Sequence, residues 1–400
     1  MDKRLCFFIF LAVLLILSGC WNARELKDMA IVSAIGIDKS EEGEISVSFQ
    51  VINPDQVAGG LTVSGDASPI ILYTSTGDTV FEAHRKVSLK LPREAFFPHM
   101  NLLVINEKLA REDGLDQVID FFERDHEPRT NATVVVSRGE SAENILMVQA
   151  PLEKVPSQLI VGQIENIERV LGETLAVDID DVISDLVSKG KDLVVSGIVI
   201  KGDEASGTEI DGIKRAKLKG SLEIDGSAVF KDQKLIGWIA EEEEKGVAWV
   251  VGKIKSTVNN VACNEKENAI AIETIRANAK VKSKIENGEP QIHITVQQEG
   301  NIAEVNCSKD MTTLKTMVEV EDLLEENIKK EIEGAINIAK EKEVDIFGFG
   351  NAIQRQHPQL WKEYEEKWSE MFTNLEVDVQ VDANIRRNGM RMNSFQEDNE

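Results

Sequence analysis

Ile45-Ser46-Val47-Ser48-Phe49-Gln50-Val51 alternates apolar and polar side chains with a period of two, the mark of a strand with one buried face. Just before it, Ala30 to Asp38 is a compact apolar stretch, and the polar run from Asp38 to Gly43 joins the two into a hairpin. Working outward, Asn53 to Ser68 is rich in Gly, Ser and Asp and reads as an exposed loop. Pro69 to Ser75 is the next strand. Asp78 is placed to cap a helix running to Leu89, with Val80, Phe81, His84 and Val87 inward. Strands follow at Leu102–Ile105 and Ala132–Val136, with a helix at Gly114–Arg124 between them. Further helices are expected at 142–148, 164–171 and 180–188, and a strand at Val194–Ile200. This mixture lacks the strict alternation of a doubly wound sheet, so the fold class is α+β, with mixed or antiparallel sheets flanked by helices.

Gly202 to Gly212 holds three Gly and four acidic residues, and a domain boundary is placed there, between 204 and 205. The layout is then 1–19 leader, 20–204 N-terminal α+β domain, 205–392 C-terminal α+β domain with a subdivision near 265, and 393–400 polar tail. In the second half, Gly226 to Ile254 reads as strand, turn, strand, then a segment carrying Trp249. Glu319 to Glu343 is the longest helix, with a 3.6-residue stripe from Val320 to Ala339. Gln359 to Phe372 is a second amphipathic helix, with Trp361, Tyr364 and Trp368 on one face. Leu375 to Ile385 alternates as a strand on which that face can pack; a partner or ligand groove is the sharper reading of the same aromatics.

The chain opens with an export signal. Lys3 and Arg4 precede an apolar run, Leu5 to Leu17, and then Leu17-Ser18-Gly19-Cys20. Thirteen apolar residues fall short of the roughly 20 that a spanning helix needs. Small residues before a cysteine fit cleavage ahead of Cys20 and acylation of its thiol, with palmitate-type chains. Two such chains contribute on the order of 20 kcal/mol of membrane anchoring. Cleavage removes Asp2, Lys3 and Arg4 and leaves 43 basic against 69 acidic side chains, a charge of −26. That acidity argues against a nucleic-acid binder and against lying flat on anionic lipid. The first protein segment at the membrane would be Trp21 to Met29. If it is helical, Glu25, Leu26 and Met29 share one face beside an interfacial Trp21, a candidate partner contact.

Of the four cysteines, Cys6 leaves with the leader and Cys20 is lipidated, so Cys263 and Cys307 remain. A three-strand meander between them would bring the pair side by side as a disulfide; two buried free thiols are the alternative. Catalytic motifs fail when tested, and no cofactor or metal is expected. There is no H-E-x-x-H, P-loop or cysteine cluster, and His84, His99, His126, His293 and His357 are scattered. Ser188-Lys189-Gly190-Lys191 fits S-x-x-K, but Gly190 would interrupt the helix this arrangement needs. Gly348-Phe349-Gly350 follows a helix rather than a strand and reads as a helix C-terminus. Glu241 to Glu244 reads as a solvated turn.

Gly19-Cys20-Trp21-Asn22-Ala23-Arg24-Glu25-Leu26, with Ala34-Ile35-Gly36-Ile37-Asp38, resembles the start of the Ger(x)C family, the C-subunit lipoproteins of spore germinant receptors. Thr76-Gly77-Asp78, Phe97-Pro98-His99, Leu235-Ile236-Gly237-Trp238, Asp345-Ile346-Phe347-Gly348-Phe349-Gly350 and Ile385-Arg386-Arg387-Asn388-Gly389 follow in the family's order. The resemblance implies an elongated, lipid-anchored, non-enzymatic body on the outer face of the inner spore membrane. It also implies integral-membrane A and B subunits as partners in nutrient-triggered germination. The competing class, a solute-binding lipoprotein of a transporter, usually shows two lobes of βαβ repeats, which the chain lacks.

Overall fold

The computed structural model describes residues 4, 25–57, 68–125, 127–149, 152–203, 207–208 and 218–387. After a 3₁₀ turn at Leu26–Asp28 the described chain forms a long hairpin, β1 (Met29–Lys39) and β2 (Ile45–Ile52), followed by a short helix α1 (Pro54–Val57) and β3 (Ile70–Gly77). Helix α2 (Val80–Lys86) is capped by Thr79 rather than Asp78. The Thr79 hydroxyl accepts the Glu82 amide, and Glu82 accepts the Asp78 amide in return. Strand β4 (Glu94–Phe96) and strand β5 (Leu102–Asn106) both run parallel to β1. Next come α3 (Glu107–Glu112), α4 (Asp116–Arg124), β6 (Thr133–Ser137), α5 (Ala142–Met147), α6 (Pro156–Val170), α7 (Ile179–Leu186) and β7 (Val194–Gly202). Helix α6 starts eight residues earlier than its apolar pattern announces, because Pro156 supplies the first turn.

Strands β8 (Gly220–Lys231) and β9 (Lys234–Ile239) then complete a nine-stranded sheet in the order β3-β2-β1-β5-β6-β7-β8-β9, with β4 on β1. The boundary placed after residue 204 therefore falls inside this sheet: β8 pairs with β7 across it. The centre of the sheet is parallel and both its faces are covered. Leu103 and Ile105 face a core shared with α2, α3, α4 and α7, whereas Leu102 and Val104 face α5 and α6. That two-sided burial is why Leu102–Ile105 is continuously apolar while Ile45–Val51 alternates.

Helix α8 (Glu241–Val251) leads to a four-stranded sheet: β10 (Thr257–Cys263), β11 (Lys266–Glu286), β12 (Glu289–Val305) and, after a helical layer, β13 (Glu376–Arg387). The first three form a meander, and β13 lies parallel on β12. Residue 265 is the tip of the tight β10–β11 turn, with Cys263 opposite Lys266, so a subdivision there would split one hairpin. Helix α9 (Leu314–Glu341) covers the sheet with Val320, Leu324, Ile328, Ile332 and Ala339 fully buried. Helix α10 (Phe349–Gln356) follows. The expected single aromatic helix is two, α11 (Pro358–Tyr364) and α12 (Trp368–Asn374), separated by a 3₁₀ turn. Breaking the helix there lets Trp361 and Trp368 pack edge to face, with ring centroids 5.4 Å apart, against the core. The architecture is α+β with two mixed sheets flanked by helices.

Candidate functional site

From the first described end, Glu25 is followed by one 3₁₀ turn, Leu26–Asp28, closed by the Asp28 amide donating to the Glu25 carbonyl at 2.9 Å. The turn stops because Met29 enters β1, opposite Glu94 of β4. A helical face joining Glu25, Leu26 and Met29 is therefore not formed, since a strand residue cannot continue it. Glu25 instead pairs with Lys27 at 2.7 Å, fully in solvent, where such pairs contribute little. Cys20, Trp21 and the Leu26 side chain lie outside the described residues.

Met29 does border a groove of about 490 Å³. Strand β2 pairs with β1 only from Val32 onward and then turns away into α1, so Met29–Ile31 has β4 as its sole strand partner among the described residues. The space so opened is floored by Ile31, Ile52, Tyr73 and Leu91, with Ile71 44% exposed on its wall and Lys27 and Arg93 at its rim. A second cavity of about 500 Å³ lies between α2 and α4, against Phe81 and Phe121. Beneath it His84 is buried among aromatic rings with Nδ1 unpartnered, and burial lowers its pKa.

Two buried carboxylates lie at contacts between separate segments of the chain. Asp345 is buried, and its Oδ1 accepts the amides of Phe347, Gly348 and Phe349 at 3.2, 2.9 and 3.1 Å. Its Oδ2 accepts the Gly350 amide at 2.8 Å and the Trp368 indole at 3.0 Å. Burial pushes its pKa up to about 6, against the opposing pull of these donors. The Asp345 amide donates to the Asp192 carboxylate at 2.7 Å, which ties this knot to the segment leading into β7. Gly348, at φ +75°, is the N-cap of α10 and not a helix C-terminus. Gly350 packs so tightly that a Cβ would lie 2.6 Å from the Gly190 Cα.

Glu244 is the second such group. The Glu241–Glu244 run opens α8 instead of forming a solvated turn; Glu241 and Glu242 are exposed, but Glu244 is fully buried beneath β8. The Ser227 hydroxyl donates to Glu244 Oε1, Oε2 has no partner, and burial pushes the carboxyl up to about 8. Nearby, Glu331 of α9 accepts from the Trp249 indole at 2.8 Å, from Asn259 at 2.9 Å and from Lys245 at 3.1 Å. The sequence places Asp345 only within a family-like block and Glu244 within an expected solvated turn, and gives neither a buried role. A carboxylate followed by Phe-Gly-Phe-Gly, which offers consecutive amides to one acceptor, was the available signal for the first.

Cys263 and Cys307 are joined as a disulfide with Cα atoms 6.4 Å apart, at the end of the β10–β12 meander. The described histidines do not converge. His293 meets Asp378 at 3.3 Å and His357 meets the Ser283 carbonyl at 3.3 Å, while His126 lies outside the described residues. Among the described residues, no three metal-ligating side chains cluster, and no helix is long and apolar enough to cross a membrane.

Two family models match in tandem: "Spore germination protein N-terminal domain" over residues 22–200 and "Spore germination B3/ GerAC like, C-terminal" over residues 225–389. The chain is 36% identical to spore germination protein KC of Bacillus subtilis, covering 98% of this chain and 97% of that relative. It is 24% identical to spore germination protein B3 of the same organism, covering 95% and 96%. The solved crystal structure of the GerBC protein superposes with a TM-score of 0.55 at 21% identity, covering 88% of this chain and 96% of that one, a likeness of fold.

Proposed function

Since this chain belongs to the spore germination GerAC-like family, also written Ger(x)C, we propose that it is the lipid-anchored C subunit of a nutrient germinant receptor. In this reading it works through contacts with the integral-membrane A and B subunits and performs no chemistry of its own. The membership itself supports a role in spore germination. The observation that carries the reading is the ordered match of both family segments along nearly the whole chain, behind a leader that ends in Leu17-Ser18-Gly19-Cys20. The buried carboxylates support it too. Asp345 and Glu244 are buried inside the body, where Asp345 gathers amides of its own turn and Glu244 meets the Ser227 hydroxyl, which fits a role in holding the fold.

The anchor is tested at Cys20. Acylation needs the thiol, so Cys20→Ala should abolish labelling by a fatty-acid probe and leave an uncleaved precursor. Labelling equal to wild type would sink the anchor reading. The partner claim is tested by isolating the labelled protein from spore membranes in mild detergent and sequencing what remains bound. Recovery without any membrane-spanning subunit would argue against it.

A further inference from the structure

We propose that the split between β1 and β2 is the docking groove for one kind of occupant: an apolar segment of the integral-membrane partner, at the point where it leaves the bilayer. This deepens the receptor-subunit reading and rests on it for the anchor at Cys20. Covalent reach supports the placement. An extended chain spans at most about 3.6 Å per residue, so Glu25 lies within about 18 Å of Cys20 and Met29 within about 32 Å. The groove is lined in part by this entering chain itself, at Lys27, Met29 and Ile31. The cavity between α2 and α4, by contrast, is lined by nothing before Thr79 among the described residues.

The chemistry selects a protein segment. Ile31, Ile52, Ile71, Tyr73 and Leu91 offer apolar surface, and Ile71, 44% exposed, is the one exposed side chain of β3. Beside them, Met29–Ile31 presents a strand side that no described strand pairs, the arrangement that an added extended segment completes with main-chain hydrogen bonds. Arg93, which also lines the groove, would receive a carboxylate flanking that segment. Burial of the groove in lipid is opposed by the −26 charge of the mature chain, which anionic headgroups repel. A partner segment that rises from the bilayer meets the groove without that cost.

The test uses the full-length chain in cells that carry the receptor's membrane subunits. A photo-crosslinking phenylalanine analogue replaces Ile71, or, as a control, Leu314, which is 81% exposed at the start of α9. The Ile71 position should yield an adduct whose mass-spectrometric sequence is an integral-membrane subunit, joined through a stretch next to a spanning helix; Leu314 should not. In parallel, Ile71→Asp should lower retention of that subunit in detergent at least tenfold while the fatty-acid label on Cys20 stays at the wild-type level. An adduct to lipid alone, an adduct within the same chain, or equal adducts at both positions overturns the groove. Loss of the label in the unmodified chain would instead remove the anchor reading. The groove then stands or falls on the Ile71 adduct alone, which also decides the matter if Ile71→Asp fails to fold.

Discussion

Replacing Glu244 by Gln should change how stability depends on pH more than it changes stability at pH 5. Glu244 is enclosed, its Oε1 accepts from the Ser227 hydroxyl, and Glu241, Glu173 and Glu243 are its charged neighbours. Its carboxyl ionises near 4.5 when free and at about 8 in the folded chain. The folded state therefore holds one more proton than the unfolded state between those values. Stability from this group is complete below pH 4.5 and is lost as pH rises through 8. At about 1.4 kcal/mol per pH unit the loss is roughly 5 kcal/mol, an upper figure because the first turn of α8 can open and admit water. Gln keeps the shape and the contact with Ser227 but cannot ionise. Urea midpoints followed by circular dichroism at pH 5, 6.5, 8 and 9 on both proteins read this directly. The two should agree near pH 5, and Glu244→Gln should be the more stable by a few kcal/mol at pH 9. Parallel curves over the whole range would refute the reasoning and show that Glu244 stays ionised or solvated in the folded chain.

Asp345→Ala should cost about 3–5 kcal/mol, since it strands buried donors that now share one carboxylate; the urea midpoint and a red shift of tryptophan emission check it, Trp368 being one of those donors. Replacing Cys263 and Cys307 together by Ser opens a link between residues 44 apart in sequence, for which chain entropy gives about 4 kcal/mol. The midpoint of the double variant should equal that of the reduced wild type, and a difference between them would point to strain introduced by the serines.

Much of the fold is legible locally. The alternation of Ile45–Val51, the unbroken apolar Leu102–Ile105 and the stripe from Val320 to Ala339 specify a half-buried strand, a strand covered on both faces and a long covering helix. Each reports its own burial through its periodicity. Local pattern carries no information about which strands meet. That the first sheet runs on past residue 204 through β8 depends on pairing between Ser196 and Ser227 and their neighbours, and the loop between those strands reads in sequence as a boundary. The same limit applies to the buried acids. Nothing about Glu244 distinguishes it from Glu241 or Glu242 in a run of four carboxylates; only the helical turn that points it beneath β8 does. Asp345 gathers donors from its own turn, legible in principle, but the Trp368 indole and its tie to Asp192 come from 23 and 153 residues away. Sequence by itself determined most of the strands and helices, the acidic charge of the chain and its family. Tertiary structure alone decided which polar groups are enclosed and where β1 parts from β2, because both follow from contacts between segments remote in the chain.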